Sequence, residues 1–430
     1  MTMPDDAPNT IEKALAINLD SLKYGTIVEI GAGQEVARWF FRAGSAAGTV
    51  AKTMSAYDMK FSDEIYGAMS GGRYVSRARL ERMLEQEYDL IISRLKDIRP
   101  EGSTFFAFAN TVAAQGFKKR KECHGWIGVR LQAAPDLPPD DIIVHVRMLD
   151  DTNLEQQDAL GILGVNLIHG AYYLADTPEL LLRSLMDNLK WGRVEIDLVE
   201  FRGPTFGSLD NRLMALELVK ASLTPAILFG PDGRPRIPAD ALYNRSVLGM
   251  RGRFKPVTKA KMDQYIHAKR RFAAQPDTTL ETTLFLAEIT MSELANEGEI
   301  DTVDFLSRIQ LLSNLGFHVL ISEFFRYFRV RQYLARYSRK HVAIVTDVTG
   351  FGEIVREKYY EGLSGGILEG LGKLFPPGTT AYVYPIRDRG RVITLDDMPI
   401  ADHLRPLIAY LRERGHVVSA DDYEPSRLES

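Results

Sequence analysis

The chain is predicted to be an α/β protein: an N-terminal α/β region with an antiparallel strand set, then two βα-repeat regions with mainly parallel sheet. Three observations predict this. The run "TIVEIGAGQEVARWFF" (26–41) is an apolar strand that breaks at Gly31 and Gly33 and passes at once into a helical segment. Three strand-like runs then follow each other too closely for parallel crossovers. Beyond residue 151, short apolar runs alternate with helical segments, the rhythm of βα units.

In chain order, the first region covers 11–150 and opens on the glycine turn. "GTVAKTMSAYD" (48–58) reads as its second strand. In "RARLERMLEQEYDLIISRLKDI" (77–98) the apolar Leu80, Met83, Leu84, Tyr88, Ile91, Ile92 and Leu95 fall at helical spacing and predict one buried face. "TFFAFAN", "GWIGVRLQ" and "DIIVHVRML" read as antiparallel neighbours, and "AAPDLPPDD" as a surface loop.

The middle region, 151–272, reads as helix "LEQQDALGIL", strand "VNLIHGA", helix "TPELLLRSLMDNL", strand "VEIDLVEF", helix "DNRLMALELVKAS" and strand "TPAILF", with "GPDGRPR" as a hairpin tip. The C-terminal region, 279–418, repeats the pattern with strands "TLFLAEIT", "FHVLIS", "HVAIVTDV" and "TAYVYPI". Gly164 and Gly316 suit helix C-caps, and the two segments around them echo each other weakly.

Composition narrows the function. The 430 residues are 45% hydrophobic and 26% charged, with a net charge of −4, so no global basic field draws in nucleic acid. The one cysteine, Cys123, excludes an internal disulfide and a cysteine-based metal site. Asp5 and Asp6 stand where a signal peptide wants cations, and no run is long enough to span a membrane. The expectation is a cytoplasmic protein that binds a small molecule, forms homo-oligomers and uses neither nucleic acid nor membrane.

The candidate ligand residues come from strand ends and a basic loop. Gly31 and Gly33 fill the first two positions of a dinucleotide fingerprint, with Val36 where a third Gly or Ala is wanted, and Asp58 stands where an acid would grip a ribose. The methyl-donor template G-x-G-x-G matches at Glu29 and breaks at Glu35. Lys118 and Arg120 belong to "FKKRKECHGW", whose cations suit a phosphate or a solvated hairpin tip. Asp347 and Thr349 in "TDVTGFGEI" suit a phosphoryl group or magnesium, and equally a helix cap. Cys123 and His124, as strand neighbours, point to opposite faces and do not share a proton. No metal-ligand spacing links the histidines, with His145 and His169 read on separate strands. ATP or NAD is the ligand type these features suggest; no catalytic residue emerges.

"LDSLKYGTIVEIGAGQEVARWFFRAG", "CHGWIGVR", "HVRMLDDTN", "GVNLIHGAYY" and "YYEGLSGGILEGLGKLF" resemble a widespread bacterial family, nearly end to end. Its members often carry the label nicotinate-nucleotide adenylyltransferase, which implies a nucleotidyltransferase. That enzyme's H-x-G-H phosphate motif is absent here, and "ISEFFRYFR" matches its second motif poorly. The leading reading is therefore an α/β protein that binds a nucleotide or phosphorylated small molecule and performs group transfer. The alternative is a non-catalytic self-assembling scaffold or regulatory protein, for which "RWFF" and "EFFRYFRVRQYLARY" offer aromatic surfaces.

Overall fold

A computed structural model describes residues 7–31, 34–68, 73–116, 123–296, 298–423, 426 and 428. Contacts divide the chain into two compact units, Met1–Thr224 and Pro225–Ser430. The boundary falls inside the predicted middle region, whose strands are shared between the two sheets.

Unit 1 comprises α1 (Thr10–Asn18), β1 (Lys23–Ile30), α2 (Glu35–Ala43), β2 (Val50–Met54), α3 (Met59–Tyr66), α4 (Arg77–Leu95), β3 (Thr104–Ala113), β4 (Cys123–Leu131), β5 (Asp140–Met148), α5 (Asn153–Tyr173), α6 (Pro178–Ser184), β6 (Val194–Arg202) and α7 (Asn211–Lys220). Its sheet runs β2-β1-β3-β4-β5-β6. β1 is parallel to β2 and β3; β3, β4 and β5 pair antiparallel, as their short connections predict, and β6, from the region read as mainly parallel βα units, joins them antiparallel as well. The helix periodicity of 77–98 is realised in α4, which buries Leu80, Met83, Leu84, Tyr88 and Ile91.

The predicted strand "VNLIHGA" is helical. It lies inside α5, a single helix through Tyr173 that also carries His169. Gly164 is accordingly no C-cap. A Cβ there would stand 2.4 Å from Val36 Cγ2, and one at Gly161 would stand 2.8 Å from Glu35 Cβ. These glycines let α5 lie close against α2, a reason local pattern cannot show. β6 returns antiparallel to β5 because two helices, α5 and α6, take the chain down the sheet and back.

Unit 2 begins with the hairpin β7 (Ala226–Phe229) and β8 (Pro235–Arg236), as "GPDGRPR" predicts. It continues through α8 (Pro238–Leu242), β9 (Ser246–Arg251), α9 (Lys259–Ala273), β10 (Thr283–Thr290), α10 (Met291–Leu294), the small ladder β11 (Ala295–Asn296) with β12 (Glu299–Ile300), and α11 (Thr302–Asn314). β13 (His318–Ser322), α12 (Tyr327–Tyr337), β14 (Val342–Asp347), α13 (Val348–Ile354), α14 (Gly366–Leu374) and β15 (Thr379–Tyr384) follow. A second small ladder, β16 (Ile386–Asp388) with β17 (Arg391–Ile393), precedes α15 (Arg405–Glu413) and β18 (Val417–Ser419).

The large sheet contains β13-β10-β9-β14-β15-β18, all parallel, with β7 added antiparallel beside β13. This is the doubly wound order, with the chain reversing direction across the sheet between β9 and β14. Gly316, at φ +84°, follows the end of α11 as the C-cap reading requires. α12 places the aromatic-basic segment with Phe328, Tyr333 and Tyr337 buried.

Candidate functional site

In unit 1 the chain leaves β1 toward β2 on one side and later returns as β3 on the other. The carboxyl ends of β1 and β3 therefore flank a topological switch point, where open α/β sheets bind ligands. A cleft of about 650 Å³ lies there, lined by Gly31, Tyr57, Val112–Gly116 and Asn153. That volume suits a nucleotide-sized ligand. Asn153 is the first residue of the 21-residue α5, so the positive end of a long helix opens on the cleft.

Gly31 has φ +94°, and a Cβ would stand 2.1 Å from the Val112 carbonyl oxygen. The turn thus needs glycine so that β1 and β3 can close at their ends. Directly beneath it, the Glu29 side chain accepts hydrogen bonds from the backbone N–H groups of Val36 and Ala37, each at 3.3 Å, and from Asn110 Nδ2 at 3.0 Å. The protein's own carboxylate therefore occupies amides at the start of α2 that a dinucleotide fold commonly offers to phosphate. Burial pushes the Glu29 carboxyl up to about 7, against the opposing pull of those N–H groups.

Asp58 caps α3, its carboxylate accepting from Phe61 N–H at 2.8 Å. Its neighbour Tyr57 lines the cleft and is 72% exposed. Gly33, Lys118 and Arg120 lie outside the described residues.

Asp347 and Thr349 belong to unit 2, so the structure does not assemble all the predicted ligand residues within one unit. Asp347 caps α13, accepting from Gly350 N–H at 2.8 Å, and Thr349 is exposed. At this switch point Arg251 donates to both oxygens of Glu288 (2.9 and 2.8 Å) and to the carbonyls of Phe324 and Phe325 (2.8 and 3.0 Å). Ser322 Oγ donates to the same carboxylate at 2.7 Å, and the Tyr327 ring lies 4.2 Å from the guanidinium. The cavity beside this knot has about 30 Å³, room for a water.

A further set of polar side chains reaches the cleft end of unit 1. His145 Nδ1 lies 2.5 Å from Asp197 Oδ1, and His145 Nε2 lies 3.0 Å from His124 Nδ1. Cys123 faces the other way, with Sγ 3.2 Å from Gln115 Oε1, as strand alternation predicts. The histidine–carboxylate line escapes motif reading because its members come from β4, β5 and β6. The one local signal is an acid inside the apolar "VEIDLVEF". Among the described residues, no group of three or more His, Cys, Asp or Glu is arranged to hold a metal ion, and no helix is long and apolar enough to cross a membrane.

Fold and site together define a mixed α/β protein with a strand-end cleft. No protein-family model matches the chain, and no curated protein does. Solved structures similar to part of it include the competence/damage-inducible protein CihA from Agrobacterium tumefaciens, at 16% identity over 39% of this chain and 97% of that one, TM-score 0.28. Others are CinA-superfamily proteins from Enterobacter cloacae (11% identity, 40% and 96% covered, TM-score 0.29) and Escherichia coli (14%, 39% and 92%, TM-score 0.27). Likenesses this weak carry no functional argument.

Proposed function

We propose that the protein binds a nucleotide or another phosphorylated small molecule in the unit 1 cleft and carries out group transfer on it. The observation that carries this reading is the cleft itself: nucleotide-sized, placed outside the carboxyl ends of β1 and β3, and faced by the first residue of α5. Because Glu29 holds the amides of Val36 and Ala37, the phosphate is directed away from the start of α2 and toward the Asn153 side. Tyr57 supplies an aromatic surface for a base or ring. The family label of nucleotidyltransferase names one such transfer.

Thermal unfolding against ATP, NAD, nicotinate mononucleotide and S-adenosylmethionine tests the reading. A ligand at ~100 times its Kd stabilises the folded state by ~2.7 kcal/mol. The expected result is a melting shift with a phosphorylated ligand that Tyr57→Ala reduces, at an exposed position where the substitution spares the fold. No shift with any phosphorylated member, or a shift that Tyr57→Ala and Gln115→Ala both leave intact, overturns it.

A further inference from the structure

Arg331, on the buried face of α12, carries a charge without a counterpart. It is 8% exposed, and its Nε donates to Thr379 Oγ1 at 2.8 Å. Its Nη1 and Nη2 groups have no acceptor among the described residues, and burial alone acts on its pKa, pulling it below the usual value. A guanidinium does not shed its proton inside a protein, so the positive charge stays. The other buried arginines of the described residues each reach a carboxylate, Arg79 that of Asp63 and Arg308 that of Asp304. A buried charge left uncompensated is strongly destabilising, so Arg331 calls for an anion that the protein itself does not supply.

Arg331 lines the cavity of about 30 Å³ between α12 and the unit 2 sheet. The charged groups on that wall are Arg251, Glu288 and Arg331. Arg251 takes both Glu288 oxygens and Ser322 donates to one of them, so that carboxylate is fully engaged and one cation remains unmatched. A glycine makes the space. Gly249 of the central strand β9 lies in register between Leu286 of β10 and Ile344 of β14, and all three line the cavity. A Cβ at Gly249 would meet nothing nearer than the Ala343 carbonyl oxygen, at 3.9 Å, and its φ is not positive. Neither packing nor backbone conformation therefore demands glycine here, and glycine inside a strand often marks the close approach of a ligand. About 30 Å³ exceeds the ~10–15 Å³ that a water requires but leaves no room for a phosphate.

We infer that this cavity binds one small inorganic anion, chloride, held by the Arg331 guanidinium and packed against Gly249. The guanidinium supplies charge-assisted N–H donors, the strong contact such an ion needs. The rest of the wall is mostly apolar, with Leu286, Val330 and Leu334 beside Ile344. That surface suits a spherical ion without directed lone pairs better than a water, which needs two or more polar partners. Because the ion binds the folded chain, chloride stabilises it by mass action. The site lies wholly within unit 2 and uses no residue of the unit 1 cleft, so it goes beyond the proposed function and does not depend on it.

Chloride-35 NMR of the full chain tests it, with gluconate holding the ionic strength constant. Exchange with the cavity should broaden the chloride signal saturably, and bromide should compete that broadening away. Arg331→Met keeps an unbranched side chain and loses the charge. It should weaken chloride binding ~10–100-fold, as the loss of a hydrogen bond to a charged group does. Gly249→Ala puts a methyl where the ion sits, and should remove the broadening without lowering the melting temperature in gluconate. Chloride should raise the melting temperature of the wild type and of neither variant. No saturable broadening in the wild type, or broadening that either variant leaves at wild-type strength, overturns the inference. If Arg331→Met fails to fold, Gly249→Ala alone decides. The probe is chloride, so this result and the nucleotide melting shifts fail separately.

Discussion

The two sheets end differently. Unit 2 has the strand order associated with dinucleotide binding, yet the end of β9 is filled by the Arg251–Glu288 knot, beside a cavity of only about 30 Å³. Unit 1 has only three parallel strands before its sheet turns antiparallel, yet its strand ends leave about 650 Å³ and gather a histidine line nearby. Strand order sets where a crevice can form. The side chains at the strand ends decide whether it stays open, because a buried charge draws every nearby donor and carbonyl onto itself.

The largest expected effect breaks the closed end. Arg251→Ala removes one partner of a pair whose side chains are only 8% and 6% exposed, leaving Glu288 buried and uncompensated. Urea unfolding should show a loss of about 3–5 kcal/mol in the transition that contains unit 2. A loss below ~1 kcal/mol would mean that solvent already reaches the knot.

Next comes the carboxylate beneath the open cleft. Glu29 has a folded pKa near 7, above the usual carboxylate range, because burial disfavours its charge. Its protonated form is therefore favoured by folding. That contribution is complete below pH 4.5 and is lost as pH rises through 7, a decline of roughly 3 kcal/mol. Comparing unfolding free energies of wild type and Glu29→Gln between pH 4.5 and 8 should show this slope only in the wild type. Equal slopes would place the Glu29 pKa near its ordinary value.

The smallest effect concerns the turn. Gly31→Ala forces a non-glycine residue into positive φ with its Cβ against the Val112 carbonyl, and should cost about 2 kcal/mol, more if β1 cannot shift. Calorimetry should place that loss in unit 1. A neutral Gly31→Ala would show that the ends of β1 and β3 are looser than their close approach implies.

The α/β class, the buried face of α4, the antiparallel run β3–β5 and the β7–β8 hairpin are legible in the sequence because each rests on local periodicity or a short connection. The reading of "VNLIHGA" as a strand fails for a physical reason. Gly164 resembles a helix stop, but it and Gly161 serve as contact points for α2, and the helix continues through them. Gly31 and Tyr57, next to Asp58, meet at one strand-end cleft, while Asp347 and Thr349 belong to the other unit; no spacing rule separates these cases.

By itself, the sequence determined the α/β class, the antiparallel run β3–β5, and the opposite facing of Cys123 and His124. Those follow from backbone sterics and period-two geometry within a few residues. Tertiary structure alone decided that Glu29 occupies amides of its own helix start, that Arg251 closes the end of β9, and that Asp197, His145 and His124 form a line. Each joins residues on different elements, and the register shift that turns Asp197 toward His145 exists only once β5 and β6 have paired.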